Sequence, residues 1–293
     1  MTGALAIQYL VAGLTYGTIY AVVGMGFNII YNTTGIINFA QGEFVMLGGM
    51  IAVSLHAILP LPLAIAGAVL ATMVVGALIE LVFIHWLSRP TVLRMIIVTI
   101  GISILIREVA LLIWGHNVRV LPYFTGNEIS AIDLLGARIS PQVLWVVAVC
   151  AAMVALTTAF FQWTMLGRQM RACASNQVGA AVCGLPIRRL VTLSFVLSAG
   201  MGALAGCVVC PITYTQYGMG TGLAIKGFTV AILGGLGNSL GAVAAGLLLG
   251  IIESFTVSQL PTAFKDTVSI AILLGVLLLR PSGLFGARVA TRA

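Results

Sequence analysis

The stretch AIKGFTVAILGGLGNSLGAVAAGLLLGIIES, residues 224–254, decides how this chain is to be read. Two apolar runs flank GGLGNSLG (234–241), where four glycines and one asparagine fall within eight residues. Such a segment cannot carry a regular helix, so its backbone groups need other partners. In a bilayer that is tolerated only where protein or water satisfies them. The spacing predicts a short or re-entrant helix at 224–235, a break, and then a full span over 239–258.

The rest of the chain has the same character. Of its 293 residues, 60% are hydrophobic and only 7% charged, and the mean hydropathy is +1.15. A soluble domain carries roughly 25% charged residues. So few charges cannot cover a water-facing surface, whereas a bilayer needs no such cover. The length allows about eight spans of about 20 residues. Apolar runs place them near 5–30, 37–58, 62–87, 92–114, 142–165, 189–210, 239–258 and 265–280. Pro60 and Pro62, Arg89-Pro90, Pro141, Pro261 and Arg280-Pro281 punctuate them. The expected fold is therefore all-α: a polytopic transmembrane helix bundle in one domain, residues 1–293, with no soluble catalytic unit.

Two stretches, 115–141 and 164–189, read as exposed loops. The first is mixed in sign, with Glu128 and Asp133 against Arg119 and Arg138. The second holds Arg168, Arg171, Arg188 and Arg189 and no acid. Nine of the fourteen basic residues (Arg89, Arg94, those four, Arg280, Arg288 and Arg292) can share one side. Arg119, Arg138, Lys226 and Lys265 would lie on the other. The positive-inside rule then puts 164–189 and the C-terminus in the cytoplasm and the N-terminus outside. A net charge of +7 arranged this way speaks for a membrane and not for nucleic acid. No basic residue precedes Arg89, so no cleaved signal peptide is expected.

Glycines and buried polar groups carry the finer expectations. Gly13/Gly17, Gly202/Gly206, Gly237/Gly241 and Gly246/Gly250 are G-x-x-x-G pairs, which let helix backbones approach closely in lipid. NFAQGEFVMLGGM (38–50) is similar to AIKGFTVAILGGL (224–236), which suggests internal repeats. Helix breaks are expected at Gly48-Gly49 in the first copy and at Gly234, Gly235, Gly237 and Asn238 in the second. Intramembrane polar groups are costly, which makes Asn38, Gln41 and Glu43 candidates for a pathway or an interface. Asn38 and Gln41, three apart, would share a helix face. Thr99, Ser103 and Arg107 recur every four residues and line one face of the fourth span; helix back-bonding or a place near a membrane surface would also account for them. Cys207 and Cys210 form a C-x-x-C at the end of an apolar run, read as packing and not as redox chemistry or zinc. No G-x-x-x-x-G-K-[ST] and no H-E-x-x-H occurs, and no cofactor, metal or enzyme activity is expected.

Three stretches carry a family resemblance. GLTYGTIYAVVGMGFNIIYNTTGIINFAQGEFVMLGG (13–49) resembles the N-terminal signature of permease subunits of ATP-binding-cassette importers for branched-chain amino acids, of the first permease type. In that family a His is frequent where Gln41 stands. GRQMRACASNQVGAAVCGLPIRR (167–189) is similar to the family's cytoplasmic coupling loop, through Gly167, Arg168, Arg171, Ala172 and Gly184. Its centre, Ser175-Asn176-Gln177, departs from the charged residues often found there. GFTVAILGGLGNSLGAVAAGLLLGIIES (227–254) and RPSGLFG (280–286) complete the likeness. The resemblance implies inner-membrane transport of branched-chain amino acids, or in other relatives urea, short amides or other amino acids. It implies a separate ATPase docking on loop 164–189, a periplasmic substrate-binding protein and a homologous second permease. A stand-alone channel or carrier is the competing reading.

Overall fold

The computed structural model describes residues 3–86, 91–127, 130–134, 137–259, 261–262, 264–280 and 282–286. Arg89-Pro90, Glu128, Pro281, Arg288 and Arg292 lie outside the described residues. Eleven α-helices are described: α1 Gly3–Thr34, α2 Gln41–His56, α3 Leu61–Ile79, α4 Val92–Trp114, α5 Pro141–Trp163, α6 Met165–Ser175, α7 Gln177–Val182, α8 Ile187–Thr213, α9 Met219–Gly234, α10 Ser239–Gln259 and α11 Phe264–Leu279. A π-helical turn, Glu80–Ile84, extends α3.

Every expected span has its helix, but the helices are not equal. Among the described residues six are long and apolar enough to cross a membrane. The run at 37–58 shortens to α2 and the run at 265–280 becomes α11, with 16 residues each. The second run loses its first turn because residues 35–40 leave the helix. Gly35 turns at φ +70°, and Asn38 spends its side-chain oxygen on the Ala40 N–H at 3.0 Å. Asn38 thus precedes α2 and shares no helix face with Gln41. The expected loop at 115–141 also holds structure: strands β1 Ile132–Leu134 and β2 Ala137–Ile139 pair antiparallel, and Arg119 bridges to Thr215.

The repeat is in the elements. The series α1-α2-α3-α4 recurs as α8-α9-α10-α11. Helix α1 packs along α10 as α8 packs along α3, and α2 lies on α8 as α9 lies on α1. Ile29 shares a layer with Leu190, the Ser198 hydroxyl reaches the Gly26 carbonyl, and Ile19 shares a layer with Val208. Helices α1 and α8 are therefore antiparallel, and the two halves are inverted repeats. By helix starts, Gln41 corresponds to Met219, not to Lys226 as the local sequence likeness suggests.

Close glycine contacts hold the halves together. A Cβ on Gly13 would stand 2.7 Å from Ile251 Cα, and one on Gly17 2.9 Å from Leu247 Cα. The motifs Gly13/Gly17 and Gly246/Gly250 are one joint, α1 against α10. Gly48 and Gly49 do not break a helix: α2 runs through them, and they sit flat on Ala203 of α8 and on Thr215. Their lack of side chains serves close packing there. The second Gly-Gly does end a helix. Gly235 and Gly237 both take φ +89°, a left-handed conformation natural only to glycine.

Side chains of α1 and the tail take up polar groups at the break between α9 and α10. Asn28 Oδ1 accepts the Gly237 N–H at 3.1 Å, and Asn32 donates to Gly237 O at 3.1 Å. Asn238 caps α10 through the Gly241 N–H at 3.0 Å and donates to Phe285 O at 3.0 Å. The tail residue Leu284 donates its N–H to Leu233 O at 2.8 Å. Cys207 and Cys210 are buried in a layer with Ala52, Ala68 and Leu121.

Candidate functional site

Helices α2 and α9 both begin inside the bundle. Gln41, the first residue of α2, donates from Nε2 to Ser198 O at 3.3 Å, and Ser198 lies near the middle of α8. Leu223, in the second turn of α9, packs into the layer of Tyr16 and Ile19 near the middle of α1. At about 1.5 Å per residue each helix is about 24 Å long, short of a bilayer core of about 30 Å. The two starts lie side by side: a Cβ on Gly42 would stand 2.7 Å from the Ala224 Cβ. Neither start has a side-chain cap. Both therefore bring the partial positive charge of a helix start to the same level, although turn carbonyls take the N–H groups of Gln41, Glu43 and Met219.

One carboxylate answers them. Glu43 lies in the first turn of α2 and is 1% exposed. Its Oε1 accepts the Ser103 hydroxyl at 2.9 Å. Its Oε2 points at Gly220, in the first turn of α9, and finds no hydrogen-bond partner among the described residues. One helical turn beyond Ser103, Arg107 donates from Nη1 to Thr221 Oγ1 at 3.1 Å. Its Nε lies 3.7 Å from Glu108 Oε1. Three helices, α2, α4 and α9, thus converge on one polar cluster.

The structure sorts the sequence candidates. Glu43, Ser103 and Arg107 come together, joined by Thr221, which sequence reasoning did not single out. Thr99 is buried and donates to Ile96 O at 3.1 Å within its own helix. Gln41, two residues before Glu43, points to a different face at about 100° per residue. Its amide is spent on Ser198, whose hydroxyl sits between Gln41 Oε1 and the Gly26 carbonyl. Asn38 Nδ2 is buried and finds no partner among the described residues.

A second charged cluster clamps α9 from behind. Lys226 is buried in α9 and pairs with Glu253 of α10, with Asp266 Oδ1 of α11 at 2.9 Å and with Ser269 Oγ at 2.8 Å. Tyr20 of α1 donates to Glu253 Oε2 at 2.9 Å, and Lys265 lies 3.6 Å from the same oxygen. Lys226 thus carries its charge inside the bundle. The signal for this cluster was an acid, Glu253, inside an apolar run opposite in sign to Lys226.

The basic loop is folded and half bare. Thr164 Oγ1 caps α6 by accepting the Gly167 N–H at 3.0 Å, and Asn176 Oδ1 caps α7 through Gly179 at 2.9 Å. Gly167, Met170, Cys173 and Ala180 are buried against the bundle beside Ile29, Phe161 and Leu190. Gly167 is set on the Phe160–Phe161 backbone, where a side chain would collide. Arg168, Arg171, Ala172 and Gly184 are exposed, as are Val178 and Val182. Gly184 turns the chain at φ +77°.

Inverted repeats, two helices that start inside the bundle and a polar cluster between those starts define a multi-pass membrane transport component. The chain belongs to the family described as branched-chain amino acid transport system, permease component, whose family model matches residues 9–277. It is 33% identical over 299 residues to the high-affinity branched-chain amino acid transport system permease protein LivH of Salmonella typhimurium, covering 96% of this chain and 95% of LivH. The corresponding permease BraD of Pseudomonas aeruginosa is 35% identical over 295 residues, with the same coverage. The autoinducer 2 import system permease protein LsrC of Salmonella paratyphi B is 31% identical over 242 residues, covering 78% of this chain and 66% of LsrC.

Proposed function

We propose that the chain is a permease subunit of an ATP-binding-cassette importer and forms half of the path by which branched-chain amino acids cross the inner membrane. The likeness to LivH and BraD over 96% of the chain carries this reading. LsrC, whose name gives another cargo, aligns over a shorter part. With no P-loop in its sequence, the chain draws its power from a separate ATPase. The bare face of α6 and α7, with Arg168 and Arg171 beside Val178 and Val182, suits docking on that subunit. In this reading loop 164–189 and the C-terminus lie in the cytoplasm, which the distribution of basic residues supports. A binding protein delivers cargo at the opposite face, and a homologous permease supplies the other half of the path.

The test is made in the complete importer, in proteoliposomes. Leucine with its binding protein should stimulate ATP hydrolysis. Joint replacement Arg168→Glu and Arg171→Glu should reduce that stimulation about tenfold, as expected for reversed charges at an interface. Full stimulation in the double variant would refute the docking role.

A further inference from the structure

The cluster where α2 and α9 begin holds a buried carboxylate oxygen without a hydrogen-bond partner among the described residues. It is Oε2 of Glu43, buried at mid-bundle. A buried carboxylate oxygen left empty is costly. Offsetting two helix starts explains a negative charge at this position. It does not explain why Oε2 is left bare toward Gly220, nor why a guanidinium stands one helical turn from the serine that holds Oε1.

The open side of the cluster bears on this. Thr221, Gly222 and Ile225 form the exposed side of α9. Gly222 has nothing within 4 Å of the position its Cβ would take. Glu108, with its side chain 55% exposed, also faces this side of α4 within an apolar helix. Charged and polar groups on the outside of a transmembrane helix face a water-filled path or another protein chain, not acyl chains.

We propose that this cluster reads the zwitterion of the cargo: Glu43 Oε2 takes the α-ammonium group, and Arg107 with Thr221 and the uncapped start of α9 takes the α-carboxylate. The inference rests on the amino-acid import proposed above. A negative and a positive side chain, set on α2 and α4 and joined through Ser103 and Thr221, match the two charges common to every α-amino acid. Ile225, 51% exposed one turn along α9, offers an apolar neighbour to a branched side chain. The site selects for the amino-acid backbone and is tolerant of the side chain.

The experiment uses photoleucine, a leucine analogue whose side chain carries a photoreactive diazirine, in the complete importer during turnover. Labels should fall in residues 38–43, 103–107 and 220–225 of this chain. Glu43→Gln and Arg107→Gln should each lower labelling per assembled complex about tenfold, with assembly counted by recovery on a tagged ATPase subunit. Thr221→Val carries the same test should Glu43→Gln fail to assemble. Labels confined to other segments, or unchanged labelling per assembled complex in the variants, would overturn the inference alone. No leucine uptake by the unaltered importer would overturn the cargo reading, and this inference with it.

Discussion

Lys226 and Glu253 face each other inside the bundle, 8% and 1% exposed. Each charge is the other's nearest partner there. Lys226→Met should therefore leave Glu253 buried with only Lys265, 3.6 Å away, as a cation, at a cost of about 3 kcal/mol. Adding Glu253→Gln should recover much of that loss, because no uncompensated charge remains. Thermal unfolding of the purified protein in detergent reads both changes. A single variant as stable as the parent would mean that the pair is not a clamp. At this scale the sequence was only partly legible. It marked Glu43, Ser103 and Arg107 because polar residues in apolar runs are rare. It could not show that Ser198, 157 residues away, holds Gln41, or that Thr221 holds Arg107. Those partners are ordinary hydroxyls, and only the approach of distant helices gives them their roles.

Helices were more legible than residues, because an apolar run of bilayer length has few alternatives. The G-x-x-x-G pairs in α1 and α10 announced close contact, and the structure shows that they contact each other. Gly17→Leu should force these backbones apart, and an overpacked site of this kind costs about 1–3 kcal/mol. Gly275→Leu on α11, where nothing lies within 4 Å, serves as the control and should change stability by less than about 0.5 kcal/mol. Equal melting temperatures for the two variants would contradict the joint. The same glycine signal misled at Gly48-Gly49. Gly-Gly reads alike in sequence whether it breaks a helix, as at Gly234-Gly235, or admits a neighbour, as against Ala203. The difference lies in what packs beside it. The start of α2 was hidden for a related reason: residues 36 and 37 are isoleucines, so the apolar run continues although the helix does not.

At the scale of the molecule, the two halves are inverted copies of one four-helix series, and their short second helices meet start to start. That meeting places a buried carboxylate, an arginine and two uncapped helix ends at one level of the membrane. The inserted helices α5, α6 and α7 belong to neither copy, and they end in the basic loop that leaves one face bare. In the proposed function the molecule offers a place for cargo and a place for a motor, and other chains supply the motor and the second wall of the path. Leucine flux into liposomes tests that claim most directly. The purified chain alone should give no uptake above empty liposomes, with or without ATP. Together with its companion permease, ATPases and binding protein it should give uptake that depends on ATP. Saturable leucine uptake by the chain alone would contradict the account and show a self-sufficient channel or carrier.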